Sequence, residues 1–309
     1  MKTADSGMMS GGISRREFIR TGVLGASMLA FQPALLAAGA SDTEVWMIHG
    51  QDKKALMARC LLIIDRNGGF GRNVNNLALK VNAAWARTPE EGANTHPDLV
   101  SGFISGCHAA GIRQVVVPEN PCSQADQAFT RSGIAAAVKA AGGNMINLQA
   151  DAGLFVKQAI PEGRRLTEAQ VARAFVEADT VVNMPVAKHH GGAKLTLAMK
   201  NWMGAVQDRG FWHRHDLHQC IADFSTFMKP RWAIIDATRI MLSRGPQGPS
   251  DEMKYPDLLV LSRDQVAADA VASTLFHDDP LSIPYLRMAQ EMGIGTVALE
   301  RMTIHKVEA

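Results

Sequence analysis

Short apolar runs recur along the chain, separated by stretches whose apolar positions repeat at helical spacing. Cys60-Leu61-Leu62-Ile63-Ile64-Asp65 reads as a first strand, ending in the turn-rich Asn67-Gly68-Gly69-Phe70-Gly71. Pro97 to Ala110 fits a helix, with Asp98 in its first turn and Gly111 as its stop. Arg113 to Val117 is a β-branched strand closed by Pro118, and Ser132 to Ala141 is a helix ending at Gly142-Gly143. Asn144 to Leu148 follows as a strand. Thr167 to Ala178 reads as an amphipathic helix capped by Thr167, and Thr180 to Met184 as a strand stopped by Pro185. Trp232 to Asp236 and Leu258 to Leu261 are further strands, with helices at Gln265 to Phe276 and Ile283 to Met292. Buried strands alternating with helices predict an α/β fold: a mostly parallel sheet with helices on both faces, in a single mature domain. No internal repeat appears, and Asn183 to Asp223 reads as a polar, insertion-like segment.

The first forty residues break this pattern. Ser14-Arg15-Arg16-Glu17-Phe18 precedes a short apolar run from Thr21 to Phe31, and Ala38-Gly39-Ala40 follows. A basic region, a short apolar stretch and an A-x-A site make a signal peptide, and the paired arginines with Phe18 fit the twin-arginine type. The expected organisation is therefore a signal over 1–40, a domain over 41–309 and a periplasmic location. Gln32-Pro33 breaks the apolar run, so no permanent membrane span is expected. That export route carries chains already folded, often with a cofactor or a partner subunit, so a periplasmic protein partner enters the expectation.

Composition narrows the function classes. With 47% hydrophobic and 20% charged residues the chain is ordinary globular protein, which excludes wholesale disorder and a multi-span membrane protein. Lys+Arg 32 against Asp+Glu 30 leaves +2, so no nucleic-acid partner is implied. Cys60, Cys107, Cys122 and Cys220 are widely spaced with no C-x-x-C, which excludes a cluster held by four cysteines in a tight local motif. Cys60 and Cys107 read as buried, inert thiols.

Candidate chemistry gathers at strand ends, where open α/β sheets bind ligands. Asp65 to Gly71, Glu119-Asn120, Asn183-Met184-Pro185 and Asp236 all occupy such ends. Gly69 and Gly71 suggest a dinucleotide loop, but the third glycine and its acidic partner are missing, which leaves a tight turn. The densest segment runs from Asn183 to Cys220. Lys188, Lys194 and Lys200 near Gly191-Gly192 offer cations and backbone N–H groups to a small anionic ligand, carboxylate or phosphate. His190 suits a general base or a metal ligand. His215 and His218 are three apart, close on one helix face, and with His213 and Cys220 they offer a transition-metal donor set. Asp236 is a site carboxylate or a turn cap, Asp264 an N-cap, and Asp269 an acid that faces solvent or a partner unless its helix points at the cleft. Trp202, Trp212 and Trp232 belong to the core. The expected catalytic set is His190, Lys188, Lys200 and Asp236. Asn183, Gly191, Gly192 and Asn201 would bind ligand or cofactor, and His215 and His218 a metal.

Asn183-x-Pro185-x-x-Lys188-x-His190, then Lys200-Asn201-x-x-Gly204, resembles the domain of unknown function 362 family. The resemblance continues through Asp236, Gly245-Pro246-x-Gly248-Pro249 and Ser262-Arg263-Asp264-x-x-Ala267-x-Asp269-Ala270. It implies an α/β fold and no assigned activity. Some members of that family carry ferredoxin-like cysteine motifs, which this chain lacks. The family usually has Lys-Pro-Asn after the first strand, whereas this chain has Asp65-Arg66-Asn67. The segment Gly191-Gly192-x-Lys194 is also similar to one in the nickel-dependent lactate racemase family, by analogy only. Three function classes stay open: an exported enzyme acting on a small anion with a metal or redox cofactor, a non-catalytic cofactor or metal carrier for a periplasmic oxidoreductase, and a structural subunit.

Overall fold

The computed structural model describes residues 43–309, within the compact unit Ser41–Ala309. The twin-arginine segment expected over 1–40 lies outside the described residues. The elements run β1 (Thr43–His49), α1 (Lys53–Arg66), β2 (Asn76–Val81), α2 (Pro97–Ala109), β3 (Gln114–Glu119), α3 (Ala125–Arg131), α4 (Ile134–Ala140) and β4 (Asn144–Asn147). They continue with β5 (Phe155–Ala159), β6 (Glu168–Ala172), α5 (Arg173–Val176), β7 (Thr180–Met184), β8 (Val186–His190), β9 (Lys194–Thr196), α6 (Ala198–Asn201), α7 (Arg209–Arg214) and α8 (Leu217–Phe227). The last are β10 (Trp232–Met241), β11 (Met253–Lys254), β12 (Leu258–Ser262), α9 (Gln265–Ser273), α10 (Pro284–Glu291) and β13 (Met302–Glu308).

The main sheet has the order β13-β1-β12-β10-β7-β2-β3-β4, and along this path only β12 runs against the rest. It is an α/β fold with a mostly parallel sheet. Alternation along the strands feeds two cores. Leu77, Leu79, Val81, Val115, Val117, Val182 and Met184 pack with α1, α2 and α4 on one face. Ala78, Val116, Ala233 and Ile235 pack with α6, α8, α9 and α10 on the other. The chain steps from β2 outward to β3 and β4, then returns to the far side of β2 as β7. This is a reversal of strand order, and such a point opens a crevice beyond the carboxyl ends of its strands.

Three elements differ from the sequence reading. The run Cys60 to Asp65 belongs to helix α1. Asp52 caps it, accepting from Lys54 N at 2.8 Å, and its buried positions Leu56, Met57, Cys60, Ile63 and Ile64 follow helical spacing. A short apolar run fits strand or helix equally, and here the upstream residues decide. The glycine turn after it consequently lies at the opposite edge of the sheet from the carboxyl ends. Its Gly68 and Gly69 carbonyls accept from Arg231 and from Trp232 Nε1 at the start of β10. The stretch Thr167 to Ala178 is not one helix: Glu168–Ala172 is strand β6, paired antiparallel with β5, and only Arg173–Val176 is helical. Finally, Asn183 to Asp223 is no polar insertion. Trp202, Trp212, Cys220 and Phe224 sit in the core, and most of α8 is buried. No helix among the described residues is long and apolar enough to cross a membrane.

Candidate functional site

The period of two along β2 and β7 sets Lys80 and Asn183 side by side in register, on the face opposite Leu79 and Val182. Both lie one residue from the carboxyl end of their strands. Asn201 closes over them from α6: its Nδ2 donates to Asn183 Oδ1 at 2.8 Å, while Asn183 Nδ2 donates to Ala198 O at 2.8 Å. Lys80 Nζ donates to Glu119 Oε2 at 2.9 Å, at the end of β3, and also to the Val81 carbonyl. Ala83 N donates to the same Glu119 oxygen at 2.9 Å. The other oxygen, Oε1, is buried without a hydrogen-bond partner. Gly204 passes so close that a Cβ there would lie 1.9 Å from Glu119 Oε1 and 2.8 Å from Lys80 Nζ. This close approach requires a glycine at the fifth position of Lys200-Asn201-x-x-Gly204.

Above this network opens a cavity of about 250 Å³. Lys80, Asn82, Glu119, Asn120, Cys122, Lys188, His190, Lys200, Asn201, Arg209, His213 and Pro246 line it, together with Trp85, Met203 and Gly204. β7 passes through Pro185 into β8, which carries Lys188 and His190 to the cavity wall. Asp269 on α9 holds the start of α6, accepting from Ala198 N at 2.6 Å and Met199 N at 3.0 Å. Burial pushes its carboxyl up to about 8. Arg209 is anchored on the loop after β3, donating to Asn120 O at 2.7 Å and to Cys122 Sγ at 3.3 Å.

Four basic side chains, Lys80, Lys188, Lys200 and Arg209, face this cavity with one carboxylate, Glu119. Burial pulls Lys80 below its ordinary value although Glu119 opposes it. Lys188 is fully buried and donates to the Ala93 carbonyl, and burial brings it down to about 7. Lys200 is 8% exposed, and its Nζ has no hydrogen-bond or ion-pair partner among the described residues. Burial, reinforced by Arg209 and Lys80, brings it down to about 8.

His190 is held in one tautomer. Its Nδ1 accepts from Gly192 N and Ala193 N, both at 3.0 Å, so the ring proton of the neutral form sits on Nε2. Burial, with Lys200 and Lys188 nearby, pushes its pKa down to about 2. The expectation of a general base is therefore revised: His190 is a neutral, fixed N–H donor. Gly191 and Gly192 lie in the β8–β9 turn, whose N–H groups at Gly192 and Ala193 donate to that ring nitrogen.

Other expected site residues lie elsewhere. Asp236 is buried in β10, paired with Arg239 at 2.8 Å and accepting from His96 N at 2.8 Å. Burial would raise its carboxyl, but Arg239 and the hydrogen bonds outweigh that and hold it below the usual range. Arg239 in turn donates to the Pro89 and Asn94 carbonyls, so this pair clamps the loop before α2. Lys194 turns to Asp278 at 2.8 Å. His215 stacks on Phe211 at 4.0 Å, and His218 stacks on Tyr285 at 6.3 Å. Among the described residues no group of three or more His, Cys, Asp or Glu side chains is placed to hold a metal. Helical spacing alone does not converge ligands; aromatic packing took these two histidines instead. Asp269, expected to face solvent or a partner, is buried.

Sequence reasoning did not single out Lys80, Cys122 or Arg209. Lys80 carried one signal, a lysine inside the apolar run Leu77-Ala78-Leu79-Lys80-Val81. A lysine there must be buried with a partner.

The model of the family described as "Domain of unknown function (DUF362)" matches residues 77–274. Lys80-Val81-Asn82 falls inside that match, whereas Asp65-Arg66-Asn67 falls outside it. A thylakoid-associated protein of Synechocystis sp. is 24% identical over 276 residues, covering 83% of this chain and 82% of the relative. Among solved structures, the lactate racemase apoprotein of Thermoanaerobacterium thermosaccharolyticum aligns with a TM-score of 0.47 at 10% identity, over 75% of this chain and 56% of that one. A protein of Thermotoga maritima aligns with a TM-score of 0.47 at 10% identity, over 74% and 60%. The chain thus spans less than two thirds of either solved structure.

Proposed function

The chain belongs to the domain of unknown function 362 family, and we propose that its cavity binds a small anion, a carboxylate or an oxyanion of similar size. One observation carries this reading: four basic side chains and a neutral N–H donor face a cavity with a single acid, and that acid is engaged by Lys80. Gathering buried cations without acids is costly, and an anion offsets that cost through charge-assisted hydrogen bonds. Lys188 and Arg209 meet the charge, His190 Nε2–H fixes orientation, and the Asn183–Asn201–Lys80–Glu119 network keeps the floor rigid. Oxalate and sulfate are suitable probes, since neither titrates near neutrality. Both should bind the full chain, and Lys200→Met should weaken binding. Calorimetric titration that detects neither anion at millimolar concentration contradicts the reading.

We propose as well that this site works outside the cytoplasm. Arg15-Arg16 with Phe18 ahead of a short apolar stretch supports export by the twin-arginine route. Replacing both arginines by lysine should leave full-length precursor in the cytoplasm. Normal processing of that variant would end the export claim.

A further inference from the structure

We propose that the Lys200 amine is a nucleophile, forming an imine with a small anion that carries an aldehyde or ketone. This rests on the anion-binding reading of the same cavity and adds a substrate class to it. The other charged groups around Lys200 each have a protein partner, although Glu119 Oε1, Asn82 Oδ1 and Thr196 Oγ1 on the same wall have none. Glu119 Oε2 accepts from Lys80 and from Ala83 N, Lys188 is braced by one hydrogen bond to the Ala93 carbonyl, and Arg209 is braced on the 120–122 loop, so both keep donors free for an anion. Lys200 alone of the cavity lysines is nine-tenths buried with no partner for its nitrogen among the described residues. A lysine kept for charge pairing would face an acid, and this one faces the cavity.

Its backbone is fixed as a nucleophile requires. Asp269 holds the first turn of α6 through Ala198 N and Met199 N, and the neighbouring Asn201 is tied to Asn183 and Lys80. Burial and the adjacent cations also favour the free amine. With Lys200 at about 8, its neutral share near pH 7 exceeds that of an ordinary lysine by about two orders of magnitude. Desolvation beside another cation is a recognised way to activate a lysine.

The step balances without an oxidant or reductant. The amine lone pair attacks the carbonyl carbon, a C–N bond forms, and the carbonyl π pair moves to oxygen. Proton transfer from nitrogen to oxygen gives a carbinolamine. Loss of hydroxyl with one further proton releases one water and leaves C=N. His190 Nε2–H donates to the developing oxygen, while Lys188 and Arg209 face the carboxylate or oxyanion.

The test uses the full chain with glyoxylate or pyruvate and sodium cyanoborohydride, which reduces an imine to a stable amine. Intact-mass and peptide analysis should find one saturable addition, on Lys200. It should form well before any label on the exposed Lys54, Lys139 or Lys229, and oxalate should suppress it. Lys200→Arg and Lys200→Met should both lack the addition while unfolding cooperatively. Label spread over exposed lysines with Lys200 unmodified overturns the proposal, as does an equal yield of labelled cavity in either variant. Oxalate binding without any Lys200 adduct would remove the imine and leave anion binding standing. Failure of oxalate and sulfate to bind would remove anion binding itself.

Discussion

His190 shows how a residue's role is set by what its second atom touches. Its presence in Asn183-x-Pro185-x-x-Lys188-x-His190 was legible, and so was its company of Lys188, Lys200 and Asn201, because one contiguous segment carries them. Its protonation was not legible, since two backbone N–H groups from the following turn impose it. Asp236, His215 and His218 stand away from the cavity for the same reason: Arg239, Phe211 and Tyr285 are remote or unremarkable in sequence, and they claim those side chains in the fold. An asparagine at 190 places Oδ1 near the position of Nδ1 but lacks the Nε2–H. His190→Asn should therefore keep most stability and lose anion affinity by about tenfold or more, the worth of one charge-assisted hydrogen bond. His190→Ala should in addition lose about 1–3 kcal/mol of stability, because two N–H groups lose their acceptor. The acid dependence follows in sign. Folded His190 refuses a proton down to about 2, whereas the unfolded side chain takes one near 6.5, so stability falls as pH drops below about 6.5. His190→Asn should flatten that loss. Urea unfolding at pH 7 and pH 5 checks both claims, and an unchanged pH slope in His190→Asn would refute the second.

At the scale of elements, the site is built by two short pieces that sequence patterns describe poorly. β8 continues β7 beyond a proline, and α6 is a single turn held by a carboxylate from α9. Neither is long enough to show a period. The longer elements agree better with their expected bounds: α2, β7 and α9 stand close to them, because a cap or a proline marks their ends, whereas β3 runs on through Pro118, expected to close it, to Glu119. The apolar centre of α1 by itself predicts a strand, and only Asp52 and Leu56-Met57 upstream mark it as a helix. The sharpest element-level prediction concerns the join after α6. Gly204→Ala drives a methyl group into Glu119 and Lys80. Overpacking of this kind costs about 1–3 kcal/mol, and here it also disturbs the cavity floor. Thermal unfolding should show the loss, and oxalate affinity should fall with it. Wild-type stability in Gly204→Ala would mean that the Lys80–Glu119 pair yields freely and does not define the site.

On the scale of the whole molecule, the parallel sheet and its covering helices were legible from alternating runs, but the location of the cavity was only partly so. The rule that ligands lie beyond carboxyl ends pointed to Glu119-Asn120, which line the cavity, and to Asn183, which lies in the network beneath it. It failed for the glycine turn after Asp65, which follows a helix, and it missed β2, whose lysine is central. Lys80, Cys122 and Arg209 come from three separated segments, and the strand order β7-β2-β3 is what brings them together. The central claim is that this assembled cationic cavity takes an anion, and proton linkage tests it most directly. Lys188 and Lys200 stand at about 7 and about 8, and a bound anion raises both. Binding must then take up protons above pH 7, and affinity must weaken as pH rises. Lys80, Glu119, Cys122, His190, His213 and Arg209 face the same space, and of these the neutral His190 adds no proton in that range. Oxalate titrated calorimetrically at pH 8, in two buffers of different ionisation enthalpy, should show uptake of about one proton per anion bound. That uptake should shrink at pH 6, where binding should also be tightest. A heat of binding independent of buffer, with affinity unchanged from pH 6 to pH 9, would contradict the account.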